Sequence, residues 1–370
     1  MENSERDEHW MALAIEIAAQ GQGLVEPNPM VGCVLVRNDQ EIGRGFHRQF
    51  GGKHAEVNAI EACQESPAGC TAYVSLEPCS HFGKTPPCAD RLIEAQVGRV
   101  VVAQTDPFPA VAGQGIEKLK QAGISVTEGV LRESAESLNA PYRKLIQFQR
   151  PWVVAKWAMT LDGKIATASG SSQWITNEAS RAVVHQLRGR MDAVVVGSNT
   201  AINDDPLLTA RPPGKRTAYR VVFDSQLKID LDSQLAKTAR QVPTLIFSSN
   251  AADPKKRNHL ESAGCEVIVN KAADRSDRLQ AALTELGQRK MTNILVEGGS
   301  GLMGALFDIG QIDECHIFIG NRMIGGQQSI APIAGRGVSQ IGDGWRLKEM
   351  RTETIEDDVY ISGRIDRTDA

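Results

Sequence analysis

LEPCSHFGKTPPC, residues 76–88, sets two cysteines nine positions apart, each directly after a proline, with a histidine and a lysine between them. Upstream, HAE at His54–Glu56 adds an imidazole and a carboxylate. Zinc favours tetrahedral nitrogen and sulfur ligation, and three protein ligands leave a fourth position for water. His54, Cys79 and Cys88 supply such a set. Zinc brings the pKa of its water from about 15.7 to about 7, so a nucleophile becomes available at neutral pH. Glu56 is placed to take a proton and return it to a leaving group. Residues i and i+2 share no helix face. The pattern therefore requires His54 to open the helix in HAEVNAIEAC, where first-turn side chains splay around the end. Cys88 opens a predicted helix too, and that position favours a thiolate.

Each part has a plainer reading. Two cysteines alone are ordinarily buried small hydrophobes, and a lone HAE is accidental. Order and spacing together point to metal. A closed Cys3His structural site, with Cys33 or Cys63 as fourth ligand, is the competing arrangement and would leave Glu56 without work. The intervening SHFGKTPP is polar and basic, which suits a ligand-contacting loop with His81 and Lys84 facing the ligand.

Outward from this segment, strand and helix alternate. VGCVLV (31–36) and IGRGFH (42–47) read as strands around the turn RNDQE, TAYVSL (71–76) as a strand, and WMALAIEIAA (10–19), HAEVNAIEAC and CADRLIEAQ as helices. VGRVVVAQ, GIEKLKQAGI and SVTEG continue the alternation. A second block repeats it from WVVAKWAM to CHIFIG, with late strands in WRLKEMRTETIEDDVYISGRI. The polar, proline-containing ESAESLNAPYRKLIQFQRPW separates the blocks. The expected class is α/β with a buried sheet in each of two domains, 1–146 and 147–370. Ligands of such sheets bind beyond the carboxyl ends of the strands.

Composition bounds the function. The 370 residues carry 41% hydrophobic and 23% charged side chains, so the chain is globular, and a net charge of −4 without a basic run disfavours nucleic acid. No run of ~18 apolar residues suits a bilayer. MENSERDEHW is unlike a secretory or transit peptide. Five of the seven cysteines precede residue 90, which argues for reduced thiols, not a disulfide framework. The expectation is a cytoplasmic protein acting on a small molecule, with a homo-oligomer left open.

PNPMVGCV (27–34), GGKHAEVNAI (51–60) and LEPCSHFGKTPPC resemble the deaminase half of the bifunctional riboflavin-biosynthesis deaminase–reductase family. The resemblance implies a cytidine-deaminase-like domain with His54, Cys79 and Cys88 as zinc ligands and Glu56 as proton donor. It also implies a pyrimidine and ribose-phosphate pocket lined by Asn28, His47, His81 and Lys84. DPFPAVAGQG departs from the family in carrying Phe108 where asparagine is usual. MTLDGKIATASGSSQWIT (159–176), LRGRMDAVVVGSNTAINDDPLLTAR (187–211) and VEGGSGLMGALF (296–307) resemble the reductase half, whose fold is similar to dihydrofolate reductase and whose cofactor is NADPH. By that resemblance Ala158, Trp174, Thr200, Asp204, Ser225 and Gly299, Ser300, Gly301, Leu302, Met303, Gly304 and Ala305 meet NADPH. Ser172, Arg188, Leu208, Arg211 and Glu297 meet substrate.

The physics of the second half agrees with this assignment. Gly299-x-Gly301-x-x-Gly304 lets backbone approach a diphosphate at a helix start, although a tight strand–helix turn explains the glycines equally well. CHIFIG lacks the acidic end of an NAD-type Rossmann strand. Arg188 and Arg211 offer forks for a phosphate, and Trp174 a wall for the cofactor. Asp204 is the candidate for proton handling. GNR at Gly320–Arg322 replaces the family's usual alanine-proline. The rival readings are a nucleoside or tRNA deaminase with a redox-silent C-terminal module, and a non-enzymatic zinc-structured binding protein.

Overall fold

The computed structural model describes residues 3–82, 86–109 and 111–366. The chain divides into two compact units, Met1–Gln149 and Arg150–Ala370.

In the first unit, β1 (Gly32–Arg37), β2 (Gln40–Phe46), β3 (Thr71–Val74), β4 (Arg99–Val102) and β5 (Ser125–Glu128) form a sheet of order β2-β1-β3-β4-β5. β1 runs antiparallel to β2 and β3, whereas β3, β4 and β5 are parallel. The β1–β2 turn is made by Asn38 and Asp39 at φ 50° and 58°, a conformation their short polar side chains tolerate. Strand side chains alternate between faces. Cys33, Leu35, Ala72, Val74, Val100 and Val102 pack under the helices Ala55–Ala62, Cys88–Glu94 and Gln114–Gln121. Val34, Val36, Tyr73 and Val101 pack against Met11, Ala14 and Ile17 of the helix Asn3–Ala18.

Among the described residues, the second unit holds nine strands: β6 (Trp152–Thr160), β7 (Ala193–Gly197), β8 (Tyr219–Phe223), β9 (Thr244–Ser249), β10 (Glu266–Asn270), β11 (Asn293–Glu297), β12 (Glu314–Gly320), β13 (Leu347–Ile355) and β14 (Asp358–Ile365). Their order is β10-β9-β8-β7-β11-β6-β12-β14-β13, parallel from β10 to β12 and antiparallel through β14 and β13. β9 and β11, buried throughout, and β7, buried up to Gly197, are covered on one face by Leu279, Leu283, Leu302 and Leu306. Leu187 and Met191, and further along Leu235 and Leu260, cover the other face.

The stretch expected as a polar separator is instead helical, as Arg132–Leu138 and Ala140–Phe148. Its Pro141 stands in a first turn, where the missing N–H is one the helix would leave unbonded anyway. The first helix starts at Asn3, ahead of the apolar run from Trp10. The helix Pro254–Ala263 had no counterpart in the sequence reading, because only its Leu260 is buried and no apolar stripe develops. Among the described residues, no helix is long and apolar enough to cross a membrane.

Candidate active sites

His54 is the N-cap of the helix Ala55–Ala62, with extended backbone (φ −76°, ψ 169°), so its ring projects across the helix start. Cys79 follows β3, and Cys88 is the first residue of its own helix. The ligand atoms of His54, Cys79 and Cys88 all lie within 4.8 Å of one another. His54 Nδ1 is 3.6 Å from Cys79 Sγ and 3.2 Å from Cys88 Sγ. One imidazole nitrogen and two sulfurs converging in this way are a donor set that zinc takes. Among the described residues no fourth such side chain joins them, and Cys33 and Cys63 lie outside the group.

The thiols divide the charge between them. Cys79 is drawn down to about 4, first by the hydrogen bond from the Cys88 thiol and then by His54 and the Cys88 backbone N–H. That N–H donates to Cys79 Sγ at 3.3 Å. Cys88 is pushed up by the same bond and by burial. Glu56 is 3% exposed, with Cys88 hydrogen-bonded to its carboxyl, and burial pushes it up to about 7. A carboxyl poised near neutrality beside a metal set both accepts and returns a proton.

Asn28 and His47 stand in the same unit and hydrogen-bond each other, Nδ2 to Nε2 at 3.3 Å. The other ring nitrogen of His47 donates to the Lys53 carbonyl at 3.0 Å. With both nitrogens committed and the ring buried, His47 is held neutral, its pKa lowered chiefly by desolvation. Its ring meets His54 edge-on at 5.2 Å. The loop carrying Asn28 is pinned by Asn139, which accepts from the Met30 N–H at 2.9 Å and donates to the Met30 carbonyl at 2.8 Å. His81 is exposed, and Phe108 stands 6.3 Å from it, ring to ring. Lys84 lies outside the described residues.

Sequence reasoning passed over Glu77. Its buried carboxylate accepts from the backbone N–H groups of Asp106, Gly113, Gly115 and Ile116. The loop carrying Phe108 is thereby tied to the chain two residues before Cys79. Gly115 is required there, because a Cβ would stand 1.8 Å from the Pro78 carbonyl oxygen. Gly115→Ala is expected to destabilise the fold by about 1–3 kcal/mol and to lower zinc occupancy, since it displaces the residue before a ligand. Metal analysis and urea titration of the purified variant check this, and unchanged values in both would exclude it.

The second unit contains a cavity of about 1160 Å3 at the carboxyl ends of its parallel strands. Ala158, Ser172, Trp174, Arg188, Thr200, Asp204, Leu208, Arg211, Ser225 and the run Gly299–Met303 line it. Gly298 and Gly299 take φ 61° and 73°, which other residues rarely adopt, and turn the chain from β11 into the helix Ser300–Asp308. Gly304 and Ala305 are not among the lining residues. Gly304 instead packs on the Ala334 backbone, where a Cβ would come within 2.1 Å of the carbonyl oxygen. Arg322 is exposed and also not among the lining residues.

Glu297 is absent from the lining too. It is buried at the end of β11 and binds Arg188 through two bonds, 2.6 and 2.8 Å. The fork expected for a phosphate is therefore committed at Arg188. Arg211 is exposed in the cavity and has no hydrogen-bond partner among the described residues. Lys156 and His185 are among the lining residues that escaped the sequence reading. Lys156 is the register partner of Glu297 in the sheet, and burial lowers its pKa against that carboxylate. His185 lies one helical turn before Arg188, and its buried Nδ1 has no hydrogen-bond partner among the described residues. Lys156 interrupts the apolar run WVVAKWAM, a mid-strand charge that is itself a signal.

Residues 151–361 match the RibD C-terminal domain, and residues 4–104 match the cytidine and deoxycytidylate deaminase zinc-binding region. The riboflavin biosynthesis protein RibD of Actinobacillus pleuropneumoniae is 43% identical over 96% of this chain and 94% of its own. The chain belongs to the RibD family of riboflavin biosynthesis proteins. RibD of Acinetobacter baumannii superposes with a TM-score of 0.86 at 34% identity, covering 99% of this chain and 100% of that one. A Thermotoga maritima relative, described as a diaminohydroxyphosphoribosylaminopyrimidine deaminase/5-amino-6-(5-phosphoribosylamino)uracil reductase, gives 0.84 at 33% identity over the same shares. The RibD family thus pairs a zinc-binding deaminase domain with a reductase domain in one chain, and this chain carries both.

Proposed function

We propose that the first unit hydrolytically deaminates diaminohydroxyphosphoribosylaminopyrimidine, and that the second reduces the ribosyl group of the product to ribityl with NADPH. The observation that carries the reading is the convergence of His54, Cys79 and Cys88 beside the buried Glu56. His54, Cys79 and Cys88 would hold zinc, which when bound lowers the pKa of water and so supplies a nucleophile at neutral pH. Glu56 takes a proton from the attacking water and gives it to the departing amine, so water and substrate yield the carbonyl and ammonia. Asn28, its amide fixed by the neutral His47 beside it, is proposed to offer hydrogen bonds to the pyrimidine edge, and His81 and Lys84 are proposed for the ribose phosphate.

In the second unit the opened sugar presents C1′ as the electrophile, and NADPH when bound supplies the hydride. Ala158, Trp174, Thr200, Asp204, Ser225 and the run Gly299–Met303 are proposed for the cofactor, with Gly304 seating the helix that follows, and Ser172, Leu208 and Arg211 for the substrate. Arg188 and Glu297 shape the substrate end as a pair, and Asp204 or Lys156 handles the proton. Arg211→Ala is expected to raise KM for the phosphorylated substrate about tenfold with little change in kcat, the pattern of lost uniform binding. Steady-state kinetics read this, and an unchanged KM would place the phosphate elsewhere.

The whole reading is tested by supplying the diamino-pyrimidine ribosyl phosphate with and without NADPH while following ammonia and cofactor absorbance together. Ammonia without NADPH oxidation would favour a deaminase with a redox-silent module. Neither signal would favour a zinc-structured binding protein. The proposed ligands are small molecules, not nucleic acid or a bilayer, and the proposed compartment is the cytoplasm. Self-association would cover the exposed Met323, Ile341 and Met350 of the second unit.

A further inference from the structure

The cavity of the second unit is larger than one small substrate needs, since pockets for single ligands run to roughly 1,000 Å3 or less. Its two ends differ in position and in chemistry. Arg188, Arg211 and Lys156 mark the end at β6 and β11. In the order β10-β9-β8-β7-β11-β6 the other end, at β10, is five strand spacings away, or about 24 Å. That span suits an extended dinucleotide whose reacting ring meets the substrate at β6 and whose adenosine reaches β9 and β10.

At that far end stand Ser248, Asn270 and Arg278, and Arg275, from the same helix start as Arg278, reaches inward to the glycine loop. Asn270 accepts from the Ala272 N–H at 2.9 Å and donates to the Arg278 carbonyl at 3.2 Å. Arg278 Nη1 donates to the carbonyls of Ala272 and Ala273. The turn is thus closed on one amino group of Arg278, while Nη2 and Nε have no partner among the described residues. Arg275 Nη2 donates to the Gly301 carbonyl at 3.0 Å, which sets its guanidinium beside the glycine loop. Both arginines lie in the first turn of the helix Arg275–Gln288. Asp274 lies next to them but accepts from the N–H groups of Ser276 and Asp277, so its charge is spent on the helix start.

The strand ends here carry no free acid. β9 closes in Ser249 and β10 in Asn270, and Asp224 after β8 is 1% exposed and accepts from the Ile229 N–H at 2.8 Å. A site built for a free ribose 2′-hydroxyl presents a carboxylate to it, whereas one built for a 2′-phosphate presents arginine. We propose that Arg275 and Arg278, in the cavity that Ser248 also lines, form the subsite for the 2′-phosphate of the cofactor's adenosine and set the preference for NADPH over NADH. The inference rests on the reductase reading of the cavity and adds to it which residues discriminate the cofactor. Asn270 is a positioning residue, acting through the turn that aims Arg278.

The test uses the zinc-loaded full-length chain and isothermal titration with two probes, adenosine 2′,5′-bisphosphate and ADP. The double variant Arg275→Gln/Arg278→Gln is expected to weaken the bisphosphate at least tenfold and to leave ADP within about twofold, because only the former carries the 2′-phosphate. Arg278→Lys, which keeps the charge, should recover much of the loss and shows that the turn still folds. The kcat/KM ratio of NADPH to NADH should fall by a similar factor. Equal losses for both probes would assign the arginines to the diphosphate and overturn the inference. Unchanged binding of the bisphosphate overturns it as well. A wild-type chain that binds neither probe removes the cofactor reading of the cavity itself, and the inference with it.

Discussion

Glu56→Gln is expected to retain a full complement of zinc and to lose ammonia release by about 10²- to 10⁴-fold, or roughly 3–5 kcal/mol in the barrier. The amide is nearly isosteric, so the buried position is filled and the neighbouring Cys88 keeps a hydrogen-bond acceptor. It cannot take up a proton, and the step from water to leaving amine loses its carrier. His54, Cys79 and Cys88 are untouched, which separates this role from ligation. Reduction of the deaminated compound, supplied directly with NADPH, should proceed at the wild-type rate, because that site is built entirely from residues after Arg150. Zinc by elemental analysis, ammonia by a coupled assay and NADPH absorbance give the three readouts. Loss of metal from the variant, or ammonia release at the wild-type rate, would remove Glu56 from the chemistry.

The parts of this site that could be read in the sequence are those whose spacing is local. His54 and Glu56 announce a helix start, and the prolines before Cys79 and Cys88 mark the turns that bring the sulfurs round. Most strands were legible because β1, β7, β9 and β11 are apolar runs of ordinary strand length. What stayed hidden depends on partners distant in the chain. Glu77 gives no sign of holding a loop nearly forty residues on, and nothing around Arg188 shows that Glu297 has claimed it. Helices failed to show where burial is thin. Pro254–Ala263 buries Leu260 alone, although Asp253 before Pro254 and Gly264 after Ala263 carried the start and stop signals. Ala140–Phe148 stayed hidden because its polar, proline-containing sequence resembles a linker, whereas Pro141 stands in the helix's first turn, where proline is tolerated.

The second large effect is expected at that hidden pair. Side chains of Arg188 and Glu297 are only 14% and 9% exposed, so both charges have been taken out of water against each other. Removing one partner of such a pair typically costs about 3–5 kcal/mol, because the other is left buried without compensation. The two truncations are not equivalent. Without Arg188, the carboxylate still faces Lys156, its neighbour across the sheet. Without Glu297, two cations face each other with nothing between them. Glu297→Ala should therefore lie at the upper end of the range and Arg188→Ala below it, while Arg188→Met/Glu297→Met should recover most of the loss. Four of the five tryptophans (Trp152, Trp157, Trp174 and Trp345) belong to this unit, so fluorescence during urea unfolding of the full chain reports mainly on it. Acid supplies an independent check. Burial would raise the Glu297 pKa, but Arg188 and Lys156 overcome that and hold it below the ordinary glutamate value. A depressed folded pKa contributes stability that is present above the unfolded value and lost as pH falls through the folded one. Wild type and Glu297→Ala should thus converge in stability below the usual glutamate range and separate above it. A gap that stayed constant through acid would mean that the variant fails through packing instead of charge, and the pair would lose its place in shaping the substrate end.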